Sequence, residues 1–181
     1  MGHGKSMKRE HAIADSAAWV LRFAERVPAG GTVLDLACGA GRHTRLFLAR
    51  GHQVLAVDRD LAELADLADH TGLERLQADL EDGQQPPFAG RRFDGVVVVN
   101  YLHRPLLPAL VSWVAPGGIL IYQTFAQGNE RFGRPRNPDF LLEPGELLEA
   151  VRGQLRVIAY EDVIVTQPRP AAMQRIAAVN D

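Results

Sequence analysis

The chain has 181 residues, of which 46% are hydrophobic and 23% are charged, and its formal net charge is -2 at pH 7. This length suits one domain, and the charge provides no basic field that would drive general binding to nucleic acids or membranes. Its one cysteine, Cys38, excludes an intramolecular disulfide and a cysteine-based zinc site. The sequence has neither an apolar run long enough to span a membrane nor a signal peptide, so we expect a cytoplasmic protein.

The first half of the chain predicts helices and strands in alternation. Polar residues 1–11 are expected to form a mobile arm, and residues 12–181 a single domain. Apolar side chains at helical spacing predict a helix over 12–27, which the Pro-Ala-Gly-Gly sequence at 28–31 ends. The pattern continues with strand 32–37, helix 42–50, strand 53–58, helix 61–70 and strand 75–80.

The second half continues this alternation and then breaks it. Polar residues 81–92 predict a loop, whereas the continuously apolar run 93–100 predicts a strand buried on both faces. The elements that follow are helix 105–114, a turn at 116–118, strand 119–125 and a hairpin of strands 155–166 and 174–179. This order predicts an α/β fold with a doubly wound, mostly parallel sheet and an antiparallel last strand.

A glycine-rich turn follows the first predicted strand and marks a cofactor site. Asp35 lies near the end of that strand, and Gly39 and Gly41 precede the next helix. Ligands of doubly wound sheets bind at the carboxyl ends of the strands. A dinucleotide would bring its anionic pyrophosphate towards Asp35, whereas the ammonium and sulfonium groups of S-adenosylmethionine favour a carboxylate. The third glycine of the dinucleotide motif is replaced by Thr44, so the pattern favours S-adenosylmethionine.

Two further acids lie at the ends of the next two predicted strands. Asp58 closes strand 53–58, where a carboxylate can accept hydrogen bonds from both ribose hydroxyls. Asp79 lies where a side chain can reach the adenine amino group. A single acid in such a position is explained as well by helix capping. Acids on three successive strands, with the glycine-rich turn after the first, are more specific and predict a cofactor pocket.

These motifs resemble those of the class I S-adenosylmethionine-dependent methyltransferases. The segments that carry the resemblance are 35–41, Asp58, 78–80, Phe93-Asp94 with its apolar strand, and 116–118. The resemblance implies a seven-stranded sheet with an antiparallel last strand and helices on both faces. Within the superfamily, residues 39–43 and the compact size are similar to the tellurite-resistance type of small-molecule methyltransferase.

The resemblance also implies further contacts to the cofactor beside these acids. They are Ala37, Cys38, Gly39, Gly41, Arg59, Leu80 and Asn100. For Cys38 we favour packing beneath the turn over nucleophilic catalysis, because a position near a helix start does not by itself make a thiol an attacking group.

The loop after the fourth predicted strand points at the transferred methyl group in this family. Asn100 would hold the cofactor through its backbone carbonyl, and Tyr101 would form a wall of the methyl-transfer channel. His103 is the candidate general base, because imidazole changes its protonation near neutral pH. The alternative is that His103 and Arg104 simply begin the next helix in solvent. Soft sulfur, selenium or tellurium anions would need no base.

Candidate contacts to the methyl acceptor also lie at the start of helix 42–50. Arg42 would favour an anionic acceptor and His43 would touch cofactor or substrate, although both also fit an ordinary helix surface. His3 and His11 have no partners at the spacing of metal ligands, so we predict no metal site.

The long segment 127–138 is the other candidate contact to the acceptor. Loops of this length in a small domain are typically lids, binding loops or disordered stretches. Its aromatic and basic side chains suit an anionic or aromatic acceptor, or RNA phosphates, or simply solvent. They are Arg131, Phe132, Arg134 and Arg136.

Together these features predict a methyltransferase that uses S-adenosylmethionine and acts on a sulfur, selenium, tellurium, oxygen or nitrogen atom of a small molecule. Two alternatives stay open. One is an RNA or protein methyltransferase that uses the arginine-containing segment 127–138, and the other is a non-catalytic S-adenosylmethionine-binding protein. A nucleic-acid partner is the weaker expectation because the chain is slightly acidic. We expect a monomer or homodimer with no membrane partner.

Overall fold

The computed structural model describes residues 16–181, which form one sheet of seven strands. Residues 1–15 lie outside the described range, and with them the predicted arm, His3, His11 and the first part of the helix predicted over 12–27. The strands are β1 (Thr32–Leu36), β2 (Gln53–Asp58), β3 (Leu73–Gln77), β4 (Phe93–Val99), β5 (Val114–Phe125), β6 (Arg156–Val165) and β7 (Ala171–Val179).

The helices of the described residues are short. The α-helices are α1 (Ala18–Phe23), α2 (Arg42–Ala49), α3 (Leu107–Ser112) and α4 (Glu146–Val151), of which α4 was not predicted. Segments of 3-10 helix cover Ala24–Arg26, Ala62–Leu67, Arg104–Leu106, Asn129–Arg131 and Pro138–Phe140. Between residues 16 and 181, no helix is both long and apolar enough to cross a membrane.

The sheet is mostly parallel, as the sequence predicts. Its strand order is β3-β2-β1-β4-β5-β7-β6, and β1 to β5 pair in parallel. The last strand, β7, lies between β5 and β6 and runs antiparallel to both. In this order β6 forms the edge of the sheet. The chain runs outward from β1 to β3 and then returns to β4 on the other side of β1. The switch point of the topology therefore lies between β1 and β4.

Apolar side chains pack on both faces of the sheet. On one face, α1 and α2 contribute buried residues such as Trp19 and Phe47. On the other face, α3 and α4 contribute Leu110 and Leu147. Neighbouring residues of β4 point to opposite faces and are fully buried on each, which explains its continuously apolar sequence.

The helix predicted over 61–70 is instead a 3-10 segment. Its hydrogen bonds join residues three apart, for example Leu64 N to Leu61 O at 3.0 Å. A 3-10 helix aligns residues three apart, so Leu61, Leu64 and Leu67 lie on one side, and Leu64 is fully buried. The three-residue spacing of the leucines is the sequence feature behind this difference.

The strand predicted over 75–80 ends earlier than expected, at Gln77. Among the strands of the described residues β3 pairs with β2 alone, and its last residue pairs with the last residue of β2, Asp58. Asp79 consequently lies in the turn beyond the strand, where its Oδ1 accepts a hydrogen bond from Glu81 N at 2.9 Å.

The turn predicted at 116–118 is a bulge inside β5. Between Phe93 and Gly95 of β4, the paired residue on β5 changes from Val114 to Ile119. A Cβ atom on Gly118 would approach three backbone oxygens to 2.9–3.0 Å, so only glycine permits this close packing.

Candidate functional site

A cleft of about 400 Å³ opens beyond the carboxyl ends of β1 to β4, at the switch point of the sheet. Much of its wall was predicted from the sequence. The predicted residues that line it are Ala37, Asp58, Arg59, Asp79, Leu80, Asn100 and Tyr101. Ala78, Glu81 and Phe140 also line it and were not predicted.

The glycine-rich turn after β1 is fastened to the end of β2. Gly39 N donates to Asp58 Oδ2 at 2.8 Å, and Cys38 N donates to Val57 O at 3.0 Å. Asp60 N donates to the other carboxylate oxygen of Asp58 at 3.2 Å. Asp58 therefore fixes the turn and still presents free acceptor positions to the cleft, because each carboxylate oxygen can accept two hydrogen bonds.

Position 41, the last of this turn, requires glycine for both a steric and a conformational reason. Its φ of +73° lies in the left-handed region, and a Cβ atom there would lie 2.1 Å from Leu64 Cδ2. Gly39 has a φ of +52° but open space around it. Neither glycine is on the wall of the cleft, so both act by shaping the turn.

Asp35 lies beneath the turn and not on the wall of the cleft. The residue is only 2% exposed, and Thr44 Oγ1 donates to its Oδ2 at 2.6 Å. Burial raises the pKa of this carboxyl to about 6, although hydrogen bonds from Thr44 oppose the rise. Asp35 thus binds the first turn of α2, and its contact with a cationic cofactor stays a prediction.

The wall of the cleft is acidic. Asp58, Asp79 and Glu81 line it, and Arg59 is the one basic residue that the described chain contributes. Carboxylates accept hydrogen bonds from hydroxyl and amino groups and attract positive charge, whereas they repel a pyrophosphate. This set of hydrogen-bond acceptors fits the ribose, adenine and cationic groups of S-adenosylmethionine.

Tyr101 brings an unused polar group to the same cleft. Its hydroxyl is buried and has no hydrogen-bond partner among residues 16–181. Burial raises the pKa of Tyr101, and the nearby charge of Glu81 raises it further, so the hydroxyl keeps its proton. Tyr122 Oη donates to Tyr101 O at 2.8 Å and fixes the loop after β4. The structure therefore offers a hydrogen-bond donor at the position predicted for a channel wall.

His103, the predicted base, does not line the cleft. It is half-buried and precedes the 3-10 segment Arg104–Leu106, where its carbonyl accepts a hydrogen bond from Leu106 N at 3.0 Å. Its catalytic role stays a prediction.

Arg104 is not the solvent-facing residue that one interpretation of the sequence gave. Its guanidinium binds both carboxylate oxygens of Glu146, at 2.7 and 2.9 Å. It also donates to Asp139 O and Leu141 O, both at 2.8 Å. These two carbonyls flank Phe140, so Arg104 holds the backbone on either side of a cleft residue.

His43 and Arg42 lie at the start of α2 and outside the wall of the cleft. His43 is 3% exposed, and its Nε2 accepts a hydrogen bond from Ala17 N at 3.2 Å. Burial lowers the pKa of His43 to about 3, and the charge of Arg42 adds to this effect. The neutral imidazole thus joins α1 to α2. The predicted acceptor contacts of His43 and Arg42 are untested.

Cys38 is buried at 7% exposure. Burial raises the pKa of its thiol, and the negative charges of Asp35 and Asp58 raise it further. A protonated, buried thiol is a poor nucleophile, which agrees with the packing interpretation.

A second, more open cleft of about 550 Å³ adjoins the first. Asn100 and Phe140 line both clefts. Arg134 and Arg136 of the predicted arginine segment lie on its wall, together with Arg169 from the β6–β7 hairpin, which was not predicted. The structure thus places basic side chains next to the acidic cleft.

Arg131 does not share this placement. Its Nε donates to Gly128 O at 3.2 Å, and its guanidinium lies 6.0 Å from the centre of the Phe132 ring. It lines neither cleft, and its predicted contact with the acceptor is untested.

The described residues contain no group of three metal-binding side chains.

Comparison with known proteins shows which domains and folds this chain is similar to. A family model described as a methyltransferase domain matches residues 33–118, which include the glycine-rich turn, Asp58, Asp79 and Asn100. This stretch of the chain is therefore similar to a methyltransferase domain. No curated protein matches the sequence significantly.

Solved structures share the fold of this chain. TehB from Haemophilus influenzae is 17% identical, with a TM-score of 0.69 over 92% of this chain, and the chain spans 63% of its length. A TehB-like S-adenosylmethionine-dependent methyltransferase from Corynebacterium glutamicum is 18% identical, with a TM-score of 0.64 over 99% of this chain and 97% of that one.

A third similar structure contains ligands. The 1,6-didemethyltoxoflavin-N1-methyltransferase of Burkholderia thailandensis, with bound 1,6-didemethyltoxoflavin and S-adenosylhomocysteine, is 21% identical. Its TM-score is 0.68 over 92% of this chain and 80% of that one. These similarities confirm the predicted class I methyltransferase fold.

Proposed function

We propose that this protein transfers a methyl group from S-adenosylmethionine to a nucleophilic atom of a small molecule. The observation that carries the proposal is the pairing of the acidic cleft at the switch point with a second cleft that adjoins it. The acidic cleft fits the methyl donor, and the adjoining cleft, which shares Asn100 and Phe140 with it, is placed to receive an acceptor.

The residues of the acidic cleft would bind and orient the donor. Asp58 would accept hydrogen bonds from the ribose hydroxyls, and Asp79 from the adenine amino group. Tyr101 would donate its unused hydroxyl hydrogen. A bound sulfonium cofactor supplies a methyl carbon already activated for in-line displacement, so the protein contributes mainly orientation and electrostatics.

A base is needed only for acceptors that lose a proton. In the transfer, the lone pair of the acceptor forms the new bond to the methyl carbon while the carbon–sulfur bond breaks and its electron pair stays on sulfur. An oxygen or nitrogen acceptor also releases a proton, and His103 is our candidate to take it. The acceptor atom, the cytoplasmic location and the monomeric or homodimeric state stay predictions from the sequence.

The proposal is tested by the affinity of S-adenosylmethionine for an Asp58→Ala variant, measured by calorimetry. We expect a loss of about tenfold or more, since hydrogen bonds to charged groups are worth about 1.5–3 kcal/mol. Asp69→Asn, an exposed aspartate outside both clefts, is the matched control and should bind as the wild type does.

Because Asp58 also accepts a hydrogen bond from Gly39 N, the folded state of the variant must be checked by circular dichroism and thermal unfolding. Unchanged affinity in a folded Asp58→Ala protein would refute the assignment of Asp58. A wild-type protein that does not bind S-adenosylmethionine at all would refute the proposed function.

A further inference from the structure

The second cleft has a charge opposite to that of the first. Arg134 and Arg136 reach it from the segment after β5, and Arg169 reaches it from the β6–β7 hairpin. None of the carboxylates of residues 16–181 lines it. Within residues 16–181 these three guanidinium groups form no ion pair, whereas Arg104 and Arg175, for example, are paired with glutamates. Unpaired guanidinium groups at one cleft favour an anionic ligand.

The same cleft has an apolar part. Phe125, Pro135 and Phe140 line it beside the arginines, and Phe140 is 46% exposed. An exposed aromatic ring at the junction of two clefts is a surface for an apolar or planar ligand. The volume of about 550 Å³ lies within the range of small-molecule sites, so a small molecule fits better than a macromolecule.

Buried hydrogen bonds hold the segment that carries these side chains. Asn129 is 1% exposed, and its Nδ2 donates to Pro135 O at 3.0 Å. Its Oδ1 accepts a hydrogen bond from Ala172 N of β7 at 3.2 Å. The carbonyl of the residue between Arg134 and Arg136 is therefore tied to the sheet, which fixes the position of their backbone relative to the acidic cleft.

We propose that the methyl acceptor carries a carboxylate or phosphate group on an apolar, planar body, and that Arg134, Arg136 and Arg169 bind that anionic group. This inference rests on the proposed function, because it treats the second cleft as the acceptor site. Phe140 would contact the planar body, which places the nucleophilic end of the acceptor towards the junction with the acidic cleft.

The test uses pairs of acceptor-like probes that share a planar ring, of which one carries an anionic group and the other is neutral. Calorimetry on protein saturated with S-adenosylhomocysteine would compare 4-hydroxybenzoate with its methyl ester, and phenyl phosphate with phenol. We expect at least one anion to bind about tenfold or more tightly than its neutral partner. The carboxylate and phosphate arms distinguish the two kinds of anionic group.

A pair of double variants shows whether the arginines cause the difference. Arg134→Gln with Arg169→Gln should remove the preference for the anion and leave the affinity for S-adenosylhomocysteine within about twofold of the wild type. Arg26→Gln with Arg92→Gln removes the same charge from exposed positions outside both clefts and should keep the preference.

Three results would overturn the inference. The first is equal binding of charged and neutral probes, and the second is a preference that survives the Arg134 and Arg169 substitutions. The third is arginine-dependent binding of a short single-stranded RNA where none of the small anions binds. Each of these results leaves the proposed function intact as long as S-adenosylhomocysteine binds the wild type, whereas failure of that binding overturns both proposals.

Discussion

Acidic residues near the glycine-rich turn differ in burial. Asp58 and Asp79 are accessible from the cleft and suit ligand binding, whereas Asp35 is closed off beneath α2 and bonded to Thr44. The sequence places all three at strand ends in the same way. Only the packing of α2 against β1 separates the buried Asp35 from the two acids that line the cleft.

The buried Asp35 should make stability depend on pH. The pKa of Asp35 is about 6 in the folded protein and has its usual value of 3.8 in the unfolded chain. Between these two pH values the carboxyl of Asp35 is protonated in the folded protein and ionised in the unfolded chain. The contribution of Asp35 is therefore fully present below about pH 4 and falls by about 3 kcal/mol as the pH rises to about 6.

Urea unfolding of the wild type and of Asp35→Asn measures this effect. The variant should gain stability relative to the wild type as the pH rises from about 4 to about 6, and the difference should then stay constant. For Asp69→Asn, an exposed control, the difference should be small throughout. Parallel curves for the wild type and Asp35→Asn would contradict the assignment.

At the scale of elements, the 3-10 segment Pro138–Phe140 depends on a contact with α4. Arg104 connects Glu146 at the start of α4 with the carbonyls of Asp139 and Leu141. A lysine in its place would keep the charge but lose the planar fork that makes these bonds together. The position of Phe140 at the junction of the clefts therefore depends on the guanidinium group.

We predict that Arg104→Lys lowers the free energy of unfolding by about 1–3 kcal/mol. It should also speed amide hydrogen exchange at Leu141 and Leu142, which follow Phe140. The control is Arg91→Lys. Arg91 donates from one guanidinium nitrogen to both carboxylate oxygens of Glu74 at 2.9 Å, and this ion pair is more exposed than that of Arg104. It should cost less than about 1 kcal/mol. Equal costs, or unchanged exchange, would show that Arg104 does not hold this segment.

The limits of an element were predicted best where its apolar sequence pattern is strongest. The strands β1, β2 and β4 were predicted to within a residue because long apolar runs bury both faces. The six-residue helix α4 was not predicted from the sequence. The limits of β3 depended on its partner strand, which local sequence does not encode.

At the scale of the whole molecule, α1 is tied to a strand far along the chain. Trp19 is buried, and its indole N–H donates to Ile176 O at 3.1 Å across 157 residues of sequence. We predict that Trp19→Phe destabilises the protein by about 1 kcal/mol more than Trp113→Phe. Both substitutions remove the same ring volume from a buried site. The indole of Trp113, unlike that of Trp19, makes no hydrogen bond within the described residues. Urea unfolding of the two variants measures the difference in the free energy of unfolding.

The two clefts show what sequence reasoning could reach and what it could not. Asp58, Asp79 and Asn100 follow predicted strands, so their meeting at one edge of the sheet was predictable. Phe140 and Arg169 come from separate loops after β5 and β6, and only tertiary packing brings them to the same cleft. Loops carry no periodic pattern, so their final positions are not visible in the sequence.

The position of β7 between β5 and β6 affects how the chain can fold during synthesis. β5 has β7 as its second partner, and β6 joins the sheet only through β7. Until residues 171–179 leave the ribosome, β5 remains an unprotected apolar edge and β6 has no strand to pair with. This part of the sheet therefore closes only after translation of β7, and the wall of the second cleft, which includes Arg169 of the β6–β7 hairpin, cannot be complete before that step.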